Sequence, residues 1–473
     1  DAGSNIYYLF CKATTAPATS TTGTWPACDG SGTWATSTAA SAASTTATYT
    51  TLSGDAENNA WYAFACDDDA TNQLCAAVSQ GTGAVDAQYS PFATNHAPSL
   101  TAVNSSGNLD PGATVTIYAS STDADSASVD TVTMYACKAA DGTSSGCGAG
   151  GTWCSTVSAT ADPTCNYAVP TPTADAAYTY YVYIFDNHSF ASSPASLSSS
   201  FTVNNVAPVV SQVKLNNDSA ISLTENATTS VPMQATVSDN NGCSDISTAI
   251  ATVFRQASST SCTAQDDNFC YFQMSLAITG CAAGAVDATS SANVDLWYHA
   301  DATSGSVPFS SDIWDASTTA TDNNSASHSA TTTTPVEMNT TLGVADNTVG
   351  IEYGGISAGS NSVTLNATST LASTGNTSLD FNTTSTFMTS GANTIDPVFQ
   401  EYSTTSAVAI GSGTKATSTA DQVIDLDLPK TTATATQATA GVYWGISVPS
   451  GQTSGTYAGE TKYDAVLNGI PWP

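Results

Sequence analysis

The chain has 473 residues, too many for one hydrophobic core and enough for three or four domains. Only 10% of residues are charged, with 39 acids against 7 bases, and the formal charge of -32 opposes binding to nucleic acid or anionic lipid. The scarcity of Lys and the abundance of Thr, Ser and Ala are unlike a cytosolic enzyme, and no apolar run approaches the roughly 20 residues of a membrane span.

Aromatic and β-branched residues in alternating runs, punctuated by Gly, Asp and Asn, predict an all-β chain. Residues 1–95 read as a first module and 96–205 as a second, because their landmarks repeat. Asn5-Ile-Tyr-Tyr-Leu-Phe-Cys11-Lys12 matches Val132-Thr-Met-Tyr-Ala-Cys137-Lys138, and the Gly-Thr-Trp34 turn matches Gly-Thr-Trp153. Trp61 to Asp67 matches Tyr180 to Asp186. The joint Asn95-His-Ala-Pro98 recurs 110 positions later as Asn205-Val-Ala-Pro208, a spacing of about one Ig-sized module. A third module is expected over 206–333. A fourth, without cysteine, is expected over 334–473, with landmarks at Gly350–Gly354, Ser362–Thr368, Thr374–Asn376 and Val442–Gly445.

The twelve cysteines fall four to a module in the first three and point to an oxidising compartment. Cys11 and Cys28 match Cys137 and Cys147. Cys154 and Cys165 occur only in the second copy, where Ala35 stands opposite Cys154, and Cys66 and Cys75 occur only in the first. Paired presence and paired absence predict Cys11–Cys28, Cys66–Cys75, Cys137–Cys147 and Cys154–Cys165. Of three connectivities in the third module, Cys243–Cys281 with Cys262–Cys270 is preferred. Zinc would need closer pairs than any here.

Two strands that precede Cys137, around Ser99–Val103 and Ala113–Ala119, have no counterpart before Cys11. The first module is therefore read as incomplete, with an open sheet edge. Three explanations stand: a neighbouring copy donates a strand, earlier domains are not shown, or the module is a smaller variant that closes on itself. A candidate donor is the tail, where Tyr463, Ala465 and Leu467 alternate and Ile470 and Trp472 follow. The alternative for 456–465 is the last strand of the fourth module.

Nine Asn-x-Ser/Thr sequons mark glycosylation candidates at Asn104, Asn187, Asn217, Asn226, Asn323, Asn339, Asn366, Asn376 and Asn382. The four histidines are scattered, and six glutamates stand in no catalytic context, so no catalytic residue and no enzyme activity is expected. No cofactor is required. Oxygen clusters at Asp67–Asp69, at Asp123 and Asp125 with Asp130, at Asp186-Asn187, at Asp239–Asn241 with Asp245, and at Asp322–Asn324 are calcium candidates, most of all Asp123, Asp125 and Asp239 at module joints. Their alternative is solvated turns.

The second and third modules, with the Gly375-Asn-Thr377 and Trp444-Gly-Ile-Ser-Val-Pro-Ser-Gly451 segments of the fourth, resemble tandem Ig-like β-sandwich repeats of prokaryotic cell-surface proteins. The resemblance implies surface display and assembly into a filament, tube or layer, with copies of the same chain as partners. It supplies no catalytic residues. The alternative is a monomeric adhesin that binds glycan through exposed aromatics such as Trp25, Trp34 or Trp314.

Overall fold

The computed structural model describes residues 5–18, 26–40, 45–69, 71–81, 91–125, 130–158, 162–419 and 421–468. Among these, regular structure is β-strand with four short 3-10 turns, and every strand pairs antiparallel with its neighbours. The chain forms two compact units, residues 1–170 with 175–204 and residues 171–174 with 205–473. Each unit contains two strand sets, here called bodies.

In the first unit, the first body has one four-stranded sheet, in the order Thr33–Thr36, Ile6–Cys11, Tyr62–Asp67 and Gln80–Gly81. A short pair, Asn58–Asn59 with Phe92–Ala93, flanks it. The second body repeats that sheet as Thr152–Ser158, Val132–Cys137, Ala176–Asp186 and Leu197–Val203, then adds a second of Thr164–Ala168, Thr114–Thr122 and Ser99–Ser105. Both of its sheets feed one core. Val115, Ile117 and Ala119 alternate inward from one, and Met134, Ala136, Val182 and Ile184 from the other.

In the second unit, the third body packs the sheet Val209–Leu215, Thr228–Ser238, Asp287–Trp297 and Ala277–Thr279 over Cys270–Ser275, Ile246–Arg255, Trp314–Asp322 and Ser327–Thr331. Val336 and Met338 also fill this core, bridged to Trp314 and Ile221. The third body therefore runs past the expected boundary at 333. The fourth body packs a five-stranded sheet centred on Thr439–Ile446 against Gln422–Leu428, Leu379–Ser385 and Thr461–Leu467. Gly350–Gly354 forms no strand.

Six disulfides staple the first three bodies: Cys11–Cys28, Cys66–Cys75, Cys137–Cys147, Cys154–Cys165, Cys243–Cys281 and Cys262–Cys270. Cys154–Cys165 joins the two sheets of the second body. Ala35 takes the place of Cys154 in the first body, where no described strand faces it from a second sheet.

The Gly375-Asn-Thr377 segment is a buried turn between the third and fourth bodies. Asn376 is fully buried; its Nδ2 donates to Asn339 O at 2.9 Å and its Oδ1 accepts from Thr341 N at 2.7 Å. A Cβ on Gly375 would stand 2.1 Å from Thr341 O, so only glycine lets the two backbones meet.

Candidate functional site

Two features stand out: a sheet face of the first body, and a pair of acidic clusters. The face is best seen against its copy. Ile6–Cys11 and Tyr62–Asp67 pair in the same register as Val132–Cys137 and Ala176–Asp186, with Cys11 opposite Tyr62 as Cys137 is opposite Tyr181. Side chains alternate across a sheet, so each position has a defined equivalent.

One face is closed in both bodies. Tyr7, Leu9, Phe64 and Cys66 pack together in the first, and Tyr135, Cys137, Tyr183 and Phe185 in the second. On the other face, the second body buries Val132, Met134, Ala136, Tyr180, Val182 and Ile184 to 4% exposure or less, beneath Leu100, Val115 and Ile117 of its second sheet. The equivalents in the first body are Ile6, Tyr8, Phe10, Trp61, Ala63 and Ala65. Ile6 is 41% exposed and the other five are half-buried.

At the edge of this face the two bodies match again. Lys12 Nζ lies 3.9 Å from the Trp34 ring centre, and Lys138 Nζ lies 4.5 Å from that of Trp153. Trp34 Nε1 donates to Ala60 O and Trp153 Nε1 to Thr179 O. Trp34 meets Tyr49 and Phe92 edge-on, as Trp153 meets Tyr167 and Phe201. In the first body these rings, with Phe10 and Trp61, line a hollow of about 180 Å³.

The acidic clusters bring together carboxylates that are separate in sequence. In the first, oxygens of Asp123, Asp130 and Asp186 lie within 4.8 Å of one another, and Asp130 also groups with Glu57 and His188. Asp123, Asp125, Asp130 and Asp186 are 8%, 5%, 4% and 3% exposed, so they are not the solvated turns that Asp and Asn ordinarily make. Asp186 Oδ2 accepts from Asn95 Nδ2 at 2.7 Å, and its Oδ1 accepts from the amides of His188 and Phe190. Asp125 Oδ1 is 2.7 Å from His96 Nδ1, and this bond raises the imidazole pKa. Burial, then the neighbouring carboxylates Asp130, Asp125 and Asp186, raise the pKa of Asp123.

The second cluster has the same frame. Asp239, Asp245 and Asp322 converge within 4.8 Å. Asp322 Oδ2 accepts from Asn205 Nδ2, and its Oδ1 accepts from the amides of Asn324 and Ala326. Asn241 replaces Asp125 and accepts from Val206 N, where Asp125 accepts from His96 N. The repeated joint motif thus supplies the amide that braces each cluster. Carboxylates this close repel by on the order of 3 kcal/mol per pair at an effective dielectric near 20.

Other expected sites fall out differently. Tyr463 and Ala465 pack into the core of the fourth body, and Thr461–Leu467 is paired along its length with Leu379–Ser385. This segment is a strand of its own body and not a donor, because its alternating apolar residues are spent on the local core. Leu467 is 38% exposed, and Ile470 and Trp472 lie outside the described residues, as does Trp25. Trp314 is fully buried, with Nε1 donating to Asp301 O, so it offers no ring to a ligand.

Among the sequons, Asn104, Asn187, Asn217, Asn226, Asn323 and Asn366 are exposed, and Asn339 and Asn382 are half-buried. Asn376 is corrected: burial and its two amide hydrogen bonds leave it no access to a glycan in the folded chain. Asp69 of the Asp67–Asp69 run binds the amides of Thr71 and Asn72 in an exposed local turn.

Sequence reading missed a buried ionic network in the second unit. Lys430 Nζ contacts Asp301 Oδ1 at 2.6 Å, His299 O at 2.7 Å and Asn268 Oδ1 at 2.9 Å. Arg255 holds the other Asp301 oxygen and Asp312. Only the scarcity of bases hinted that each would be used. A cavity of about 740 Å³ lies in the fourth body, and among the described residues Glu352 is the one carboxylate that lines it.

No family model and no curated protein matches the chain. Among the described residues, no helix is long and apolar enough to cross a membrane.

Proposed function

We propose that the chain is a structural subunit of an extracellular filament, tube or surface layer. In this reading its bodies are tandem Ig-like sandwiches, and subunits join head to tail by strand donation into the first of them. The observation that carries the proposal is the contrast between equivalent faces: Met134 and Ala136 are sealed beneath a second sheet, whereas Ile6, Tyr8 and Phe10 stay partly open. The fitting occupant is an extended segment of another copy with apolar residues at alternate positions, the pattern by which Val115 and Ile117 cover the second body. Such a contact joins unlike surfaces and does not close on itself, so it propagates as a polymer. Six disulfides and the low charge density suit an oxidising, extracellular setting.

The test is electron microscopy and size exclusion of the unreduced chain beside an Ile6→Lys, Phe10→Lys double variant. Polymers in the wild type and a folded monomer in the variant support the proposal. Polymers that persist in the variant, or a wild type that stays monomeric at high concentration, overturn it.

A second reading has one specific observation in its favour. The hollow lined by Phe10, Trp34, Tyr49, Trp61 and Phe92 presents aromatic rings of the kind on which a sugar stacks, as in a monomeric adhesin. Binding to a glycan array that Trp61→Ala abolishes, from a chain that stays monomeric, would favour it.

A further inference from the structure

We infer that the cluster of Asp123, Asp130 and Asp186, completed by Glu57, is a calcium site that ties the first body to the second. The inference is independent of the assembly proposal. Asp130 is 4% exposed, and its Oδ1 accepts from Thr131 N while its Oδ2 is buried with no hydrogen-bond partner among the described residues. Glu57 Oε2 is likewise buried and without a partner there. A buried carboxylate oxygen left without a donor is costly unless a cation meets it. His188 Nδ1 is 3.9 Å from Asp130 Oδ1, outside hydrogen-bond range, and that ring is half exposed. His96 is taken by Asp125. Asp130 belongs both to the group with Asp123 and Asp186 and to the group with Glu57 and His188, and its Oδ2 and Glu57 Oε2 are the buried oxygens there that no donor meets among the described residues.

The donors are all oxygen, without cysteine and with histidine only at the margin, which selects a hard cation. Carboxylates from separate loops in an irregular arrangement suit calcium better than magnesium, which demands a near-ideal octahedron. Glu57 comes from the first body, and Asp123, Asp130 and Asp186 from the second, so the ion would cross-link the two. The recurrence of the frame at Asp239, Asp245 and Asp322, braced by Asn205 as Asn95 braces Asp186, shows that the arrangement is built and not accidental. There, too, Asp245 Oδ2 is buried without a partner among the described residues.

The test uses the full chain, stripped with chelator and titrated with calcium alone by calorimetry, with bound ions counted by equilibrium dialysis. Dissociation constants on the order of 10⁻⁴ to 10⁻³ M are expected for an extracellular site. Asp130→Asn and Glu57→Gln should each bind one equivalent fewer, or bind it at least tenfold more weakly. Calcium should also raise the melting temperature of the wild type more than that of either variant. Should Asp130→Asn fail to fold, Glu57→Gln decides, since that residue is only half-buried. A wild type that takes up no calcium at 5 mM (roughly five times the weakest expected constant), or variants that bind as many ions as tightly, would overturn the inference.

Discussion

Lys430 Nζ stands 2.6 Å from Asp301 Oδ1, and both side chains are about 95% buried. Lys430 belongs to the fourth body and Asp301 to the third, so the pair locks two cores together within the second unit. Arg255 shares the same carboxylate, and its guanidinium lies 3.7 Å from the Phe309 ring centre. Removing one partner strands a buried charge, so Lys430→Met or Asp301→Asn should cost about 3–5 kcal/mol. Chemical denaturation of the full chain measures this, and a loss below about 1 kcal/mol would place the network among ordinary surface pairs.

His299 sits beside this network, fully buried, with Nδ1 donating to Asn268 Oδ1 at 3.3 Å. Burial, aided by the charge of Lys430, lowers its pKa to about 4. The unfolded imidazole takes up a proton near pH 6.5 and the folded one does not, so stability is full above that pH and falls as pH drops toward 4. The loss is about 3 kcal/mol, and His299→Gln should remove this part of the acid dependence. Unfolding midpoints between pH 7 and 4 for both chains check it.

Gly375→Ala should destabilise the second unit by about 3 kcal/mol or more, because the added carbon collides with the carbonyl of Thr341 and neither segment can move without disturbing the hydrogen bond between Thr341 N and Asn376 Oδ1. Asn376→Ala should cost about 2 kcal/mol through the lost amide bonds. Calorimetry of both variants tests the ranking.

Replacing Cys154 and Cys165 together by serine should lower stability by about 3 kcal/mol, since an eleven-residue separation closes a short loop between the two sheets. Thermal melts with and without reductant separate this from the other five bridges.

The two equivalent faces predict opposite tolerance. Ile6→Lys lies on an exposed position and should shift the monomer by less than about 0.5 kcal/mol. Met134→Lys, at the copied position's neighbour on the sealed face, should unfold the second body, because a charge would enter a closed core. Circular dichroism of each variant at matched concentration is sufficient.

Local pattern determined much of this protein. Alternation placed Thr114–Thr122 and Val132–Cys137 in strands, and comparison of the two N-terminal copies led to the bridges the structure contains, since a disulfide leaves a paired trace in sequence. Tertiary structure alone decided the rest. Asp186 meets Asp123 only because distant loops end at one joint, and turn residues that look solvated one by one are buried together. Thr461–Leu467 shows the same limit: an alternating strand reads alike whether its partner is its own body or another chain, and only the pairing with Leu379–Ser385 tells them apart. Strand pattern is set by the nearest neighbours in sequence; the identity of the surface it covers is set by contacts across the whole chain.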